Sequence, residues 1–274
     1  MAILGGSYTM VKVGLQDLPV FGSLLLRSIV AVVALGGYML WAGLPFVYRG
    51  RAAWFLFAQT FSFVSQQALL YLGLALTTAG RAAILFNMQP FFTLFLLPII
   101  VPGERPSARR LLGTLAAFVG VILVLSEREI SGGVLIGDLL VLVGAALWSS
   151  NVILNRTMPR ELHPVPVIFW SLVGAVPVTA ALTLLLEPDA KWNVSAAAIF
   201  SVLYLGVIAA SFAFVMFVWL TRTYSPSLVN PFVFLAPIFG VLIGWAVLGE
   251  QVTVLQTAGA VAVAAGIWFV NSGK

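Results

Sequence analysis

Polar side chains at helical spacing interrupt long apolar runs, and they are the groups in this chain with chemistry to offer. Gln59, Ser62 and Gln66 stand three and four residues apart, which places them on one face of a helix. Ser201, Tyr204 and Ser211 form a similar stripe, Asn151 and Asn155 lie four apart near Trp148, and Asn87 and Gln89 stand just before Pro90. Ser7 lies in the first apolar run, and Asn230 precedes Pro231. A polar group deep in a bilayer is costly unless it faces a cavity or a partner. These residues are therefore expected to line a neutral, hydrogen-bonding and partly aromatic cavity; the bland alternative is that they stitch helix to helix.

The missing groups narrow the chemistry. With no cysteine, one histidine (His163), no HExxH and no facing pair of mid-segment acids, the chain lacks an intramembrane hydrolase's nucleophile, base or metal set. No metal and no cofactor are expected. Asp138 is the acid nearest a segment centre, so a proton-relaying carboxylate is not evident. Arg27 and Arg81 are the only basic candidates for meeting an anion, and both are expected near an outer end. A zwitterionic or neutral solute of amino-acid size suits this inventory. Eight Trp, six Tyr and twenty Phe permit aromatic solutes, although interfacial aromatics explain most of them.

The elements that must hold these residues are membrane spans. Of 274 residues, 61% are hydrophobic and only 8% charged, against roughly 25% charged in a soluble domain. Breaks at proline, glycine and charge divide the chain into ten apolar segments: 1–14, 20–43, 52–76, 80–101, 107–126, 134–156, 164–186, 195–220, 226–248 and 252–270. The first is shorter than the ~20 residues of a span, and the natural helix is expected to start before it. The apolar start carries no basic leader or cleavage site of a signal peptide.

A spacing recurs: Gly103-Glu104, Gly113 and Gly120 match Gly249-Glu250, Gly259 and Gly266, with prolines upstream at 90 and 237. Five spans per copy is an odd number, so the second copy enters the membrane from the opposite face. The expectation is an all-α membrane protein of ten helices in two inverted five-helix repeats, at 1–130 and 131–274. Residues 2–12 also overlay, more weakly, on 146–156. Duplicated halves of this kind are the build of secondary transporters. Gly113, Gly120, Gly240, Gly244, Gly259 and Gly266 are expected to let helices pack closely, within one protomer rather than across a dimer. Pro90, Pro98, Pro231 and Pro237 fall inside the matching fourth and ninth segments and are expected to act as gate or hinge points. Glu104 and Glu250 are expected to complement the dipoles of the helices that follow them.

The net charge of +5 is scattered at segment ends, which gives no support to nucleic-acid binding. Counting links alternately, one side receives Arg49, Arg51, Arg105, Arg109, Arg110, Arg156, Arg160, Arg222 and Lys274, the other only Lys12, Arg27, Arg81, Arg128 and Lys191. The first side is expected to be cytoplasmic, with both termini inside and the chain in the inner membrane.

The stretches 75–125 and 225–270, each with a proline-bearing helix, Gly-Glu and a helix of spaced glycines, resemble the second part of an EamA-type repeat. Residues 5–31, with Arg27 in the second span, resemble the beginning of that repeat. The resemblance covers essentially the whole chain. It departs where Leu4-Gly5 replaces a usual tryptophan-glycine and where Gln89 fills a position that is often small. It implies the drug/metabolite transporter superfamily, whose ten-helix bacterial members export amino acids and other small metabolites. The function expected from residues and resemblance together is amino-acid and metabolite export by alternating access, without an evident coupling ion. The alternatives are a proton-coupled exporter of aromatic or cationic drugs, and a non-transporting receptor or scaffold.

Overall fold

The computed structural model describes residues 2–100, 108–126, 132–156, 158–159, 162–223 and 235–271, and every regular element among them is helical. A bilayer supplies no partner for backbone N–H and C=O groups, so apolar segments must satisfy them internally, as helices do. The helices are α1 (Ala2–Leu15), α2 (Val20–Trp41), α3 (Arg51–Leu76), α4 (Ala79–Phe86), α5 (Gln89–Ile100) and α6 (Ala108–Leu125) in the first half. The second half holds α7 (Gly132–Arg156), α8 (Pro164–Leu186), α9 (Ala196–Leu203), a π-helical stretch (Tyr204–Ala213), α10 (Phe214–Thr223), α11 (Leu235–Leu248) and α12 (Val254–Asn271). They form ten rods, because α4 with α5, and α9 with the π stretch and α10, each continue one span. Residues 20–41, 134–155, 164–186 and 196–220 are each long and apolar enough to cross a membrane on that ground alone.

Local sequence sets several starts. The hydroxyls of Thr78, Ser195 and Thr253 accept hydrogen bonds from the N–H groups of Arg81, Ala198 and Gln256 at 3.2, 3.0 and 3.1 Å, capping α4, α9 and α12. His163 is exposed and its Nδ1 accepts from Val165 N–H at 3.3 Å, with Pro164 opening α8.

Helix packing follows the duplication. The pairs α6·α12, α2·α8 and α4·α11 join corresponding spans, and α3·α7 is mirrored by α1 against α9 and the π stretch. Likewise α1·α11 is mirrored by α7 against α4 and α5. Advancing every span by five places returns each of these larger contacts, as two inverted five-helix repeats require. At the α6·α12 crossing, a Cβ on Gly120 would lie 2.7 Å from Gly259 O, and one on Gly259 would lie 2.8 Å from Gly120 O. The glycines that correspond to these through the repeat, Gly266 and Gly113, are both buried. Gly240 leaves room for Ala83, whose methyl would stand 2.2 Å from an added Cβ. A further glycine crossing, not anticipated, joins Gly73 of α3 to Gly137 of α7, each of whose carbonyls blocks a Cβ on the other at 2.8–2.9 Å.

The links α1–α2, α3–α4, α8–α9 and α11–α12 meet at one end of the bundle, held by polar contacts between repeats. Glu187 accepts from Val20 and Phe21 N–H (2.8 and 2.9 Å), capping α2. Asn193 Nδ2 donates to Asp17 Oδ1 at 2.7 Å, and within the first repeat Lys12 Nζ donates to Thr77 O at 2.7 Å. Glu250 corrects an expectation. It serves α4 of the other repeat, accepting from Ala79 and Gly80 N–H at 2.8 and 3.0 Å, not its own following helix. Gly249 at φ +66° turns the chain back, Thr253 already caps α12, and Gly244 leaves the space the carboxylate occupies. Glu104 lies outside the described residues.

Overpacking a close helix crossing typically costs about 1–3 kcal/mol. Gly120→Leu and Gly259→Leu should therefore lower the detergent unfolding temperature clearly. Gly37→Leu, at a site with no atom within 4 Å of an added Cβ, should leave it nearly unchanged.

Candidate functional site

A cavity between the repeats is walled by Leu4, Ser7 and Tyr8 of α1, Arg27 of α2, Gln66, Gln67 and Tyr71 of α3, and Trp148 of α7. Phe86, Asn87 and Gln89 join it at the α4–α5 break, and Leu205, Ala209 and Phe214 at the eighth rod. Two backbone irregularities bring these side chains to one depth. The first is the turn at Asn87 and Met88, where Asn87 Nδ2 donates to Ala83 O (2.7 Å) and Ser149 Oγ to Gln89 O (2.8 Å). The second is the π stretch, with Ser211 Oγ donating five residues back to Gly206 O at 2.8 Å. π-helical turns frequently occur at functional sites.

The cavity is aromatic on one side and charged on the other. Trp148 packs against Phe86 and Phe214 with ring centroids 6.1 and 5.6 Å away. The Arg27 guanidinium lies 5.6 Å from the Tyr71 ring centre and 5.9 Å from that of Phe214. Its Nη1 donates to Tyr71 Oη at 3.1 Å. With the Gln67 amide oriented to suit its neighbours, its oxygen accepts from both Nη1 (2.7 Å) and Nη2 of Arg27. Three lining side chains keep a buried polar atom with no partner in the protein: Arg27 Nε, Trp148 Nε1 and Gln89 Oε1.

Of the polar residues singled out in the sequence, Ser7, Gln66, Asn87, Gln89 and Trp148 line this cavity. Ser62 lies in the α3·α7 seam, hydrogen-bonded to Ser150 and accepting from Asn151 Nδ2 at 2.9 Å. Tyr204 Oη donates to Ile3 O at 3.1 Å, and Ser211 bonds within its own helix. Gln59 and Asn155 continue the polar faces of α3 and α7 two turns beyond Gln66 and Trp148, each with an unpartnered carbonyl oxygen. The helices run antiparallel there, with Ser62 at Ser150 and Gly73 at Gly137, so both stripes lead toward the same end. Asn230 and Pro231 lie outside the described residues. Pro90 sits in the first turn of α5 rather than mid-helix, where a missing N–H is tolerated. Pro98 and Pro237 lie within α5 and α11.

Arg27 has a role that its expected place near an outer end did not suggest. It lies seven residues into α2, is 4% exposed and lines the cavity. Gln67 and Tyr71 were also not singled out, although Gln67 adjoins Gln66 and Tyr71 follows one turn later. Arg81, in contrast, is occupied: its Nε donates to Asp138 Oδ2 at 3.1 Å and its Nη2 pairs with the same carboxylate. Asp138 is fully buried and also accepts from Thr77 Oγ1 at 2.6 Å. A groove between α11 and α12, walled by Leu242, Trp245, Val261 and Trp268, has Glu250 as its only charged lining residue among the described residues, and that carboxylate already caps α4.

A ten-helix duplicated bundle with a cavity between its halves defines a membrane transporter. The sequence model of the EamA-like transporter family matches residues 1–126 and 135–272, and the chain belongs to that family. It is 28% and 27% identical to proteins named probable amino-acid metabolite efflux pump in Salmonella typhimurium and Escherichia coli, over 98% of this chain and 91% of each relative. A transporter of Archaeoglobus fulgidus is 26% identical over 99% of this chain and 94% of its own. A solved crystal structure shares the fold at a TM-score of 0.71 and 16% identity, covering 98% of this chain and 96% of that one. The protein is thus a multi-pass membrane transporter of small molecules, and not an enzyme.

Removing one member of a buried ion pair typically costs about 3–5 kcal/mol, because the other is left uncompensated. Asp138→Asn should therefore lower the unfolding temperature sharply. Adding Arg81→Met to it should recover much of that loss. A stable Asp138→Asn single variant would contradict the structural role.

Proposed function

We propose that this transporter exports amino acids, aromatic ones included, and similar small metabolites by alternating access between its two repeats. The reading is carried by the unpartnered polar atoms of the cavity: two donors, Arg27 Nε and Trp148 Nε1, and one acceptor, Gln89 Oε1. Two donors suit a carboxylate and an acceptor suits an ammonium group, while Phe86, Trp148 and Phe214 offer apolar surface to a side chain. The names of the Salmonella and Escherichia relatives support the same class.

No carboxylate lines the cavity among the described residues, and Asp138 is engaged by Arg81 and Thr77. That supports a facilitator running without a coupled proton. It also disfavours the cationic-drug alternative, since a permanent guanidinium repels cations from a low-dielectric cavity. In this reading Pro90 and Pro98 of the fourth span, and Pro231 and Pro237 of the matching ninth segment, serve as gate or hinge points. The repeats divide at residues 130 and 131. The Lys and Arg bias puts both termini in the cytoplasm of a cell whose inner membrane holds the protein as a monomer.

The test is counterflow uptake of labelled amino acids into proteoliposomes without an imposed ion gradient. Accumulation of at least one, reduced about tenfold or more by Gln66→Ala or Trp148→Ala at equal folded yield, is the expected result. Absence of counterflow across the whole panel would sink the amino-acid reading.

A further inference from the structure

Arginine stays protonated in proteins, so burying Arg27 in a membrane-spanning bundle requires something to balance its charge. The two buried arginines are treated differently. Arg81 has Asp138, whereas the groups around Arg27 are the neutral Gln67 and Tyr71 and the faces of Tyr71 and Phe214. No Asp or Glu is among the described residues that line its cavity.

The hydrogens of this guanidinium can be accounted for one at a time. Its five N–H bonds are arranged as an end-on edge between Nη1 and Nη2, a side-on edge between Nε and Nη2, and the outer hydrogen of Nη1. Gln67 occupies the end-on edge and Tyr71 Oη takes the outer Nη1 hydrogen. Nε has no partner in the protein. What remains is the side-on edge, two parallel donors at the spacing that a carboxylate's two oxygens match. Gly206 helps to hold α2 in place: an added Cβ there would meet Arg27 O at 3.0 Å and the Val30 side chain at 2.6 Å.

We infer that Arg27 is the carboxylate-binding residue of the transport cavity, and that the counter-ion it lacks in the protein arrives with the cargo. Gln67 and Tyr71 are positioning residues that hold the guanidinium with its side-on edge free. The inference rests on the cavity being the transport site, and it fixes the cargo class as organic monocarboxylates, zwitterionic or not. Discrimination against uncharged and cationic analogues follows, because they leave the buried charge unbalanced.

The test measures binding by thermal shift of the full-length protein in detergent, using matched pairs: acetate and acetamide, benzoate and benzamide, phenylacetate and phenylacetamide, L-phenylalanine and L-phenylalaninamide. Hydrogen bonds to a charged partner give a preference of roughly ten- to a hundredfold for the acid in at least one aromatic pair. Arg27→Gln should abolish that preference, and Arg27→Lys, which keeps the charge without the fork, should retain only part of it. If acids and amides bind equally well to the unaltered protein, if no carboxylate binds at all, or if Arg27→Gln keeps the preference, the inference is overturned. The comparison on the unaltered protein decides even if Arg27→Gln fails to fold. Carboxylate binding that depends on Arg27, with no amino-acid counterflow, would uphold the clamp while removing the amino-acid export reading.

Discussion

Inside a bilayer no water is available to satisfy a polar group, and the organisation of this protein follows from that constraint. Backbone groups are satisfied by helices. Hydroxyls in spans return hydrogen bonds to carbonyls one turn back: Ser28 to Leu24, Ser171 to Val167, Thr179 to Ala175, Thr183 to Thr179. The carboxylate of Asp138 is shared between Arg81 and Thr77, and those of Glu187 and Glu250 are given to helix starts. Against that thoroughness, polar atoms without partners stand out. Three of the eight among the described residues belong to one cavity, the proposed site.

The scaffold is close to symmetric, and the proposed site lies where symmetry fails. α3 is a continuous helix of 26 residues, whereas the corresponding eighth rod carries a ten-residue π stretch. Arg27 has no basic equivalent in α8. A twofold frame lets two halves exchange roles about a fixed point, while the asymmetric residues give that point one charge and one orientation.

Closure at one end is also built from contacts between repeats: Glu250 on the start of α4, Glu187 on the start of α2, and Asn193 on Asp17. Each pairs a carboxylate with a helix terminus or loop rather than with a buried cation. Such contacts are near water at the span ends and can be exchanged for hydration at small cost. The buried Arg81–Asp138 pair has no such exchange open to it and suits a part of the frame that stays assembled.

Much of the architecture could be read from residue order. Ten apolar segments, the repeated Gly-Glu-Gly-Gly spacing and the proline-bearing fourth segment led to an inverted ten-helix bundle, because bilayer thickness and helix rise leave few other solutions. Ser7, Gln66, Asn87, Gln89 and Trp148 were legible as polar or aromatic residues at depth, since helical periodicity alone puts such groups on inward faces. The place of Arg27 in the cavity wall was not legible, because distance along a segment does not reveal which side chains close over it. Gln67 and Tyr71, which orient it, lie forty residues away in the chain. Glu250 was assigned to the wrong helix for the same reason, as a carboxylate beyond a turn can reach any terminus that packing brings near. Which polar residues face a common space, and which of those have no partner in the protein, depends on long-range packing that no local period records.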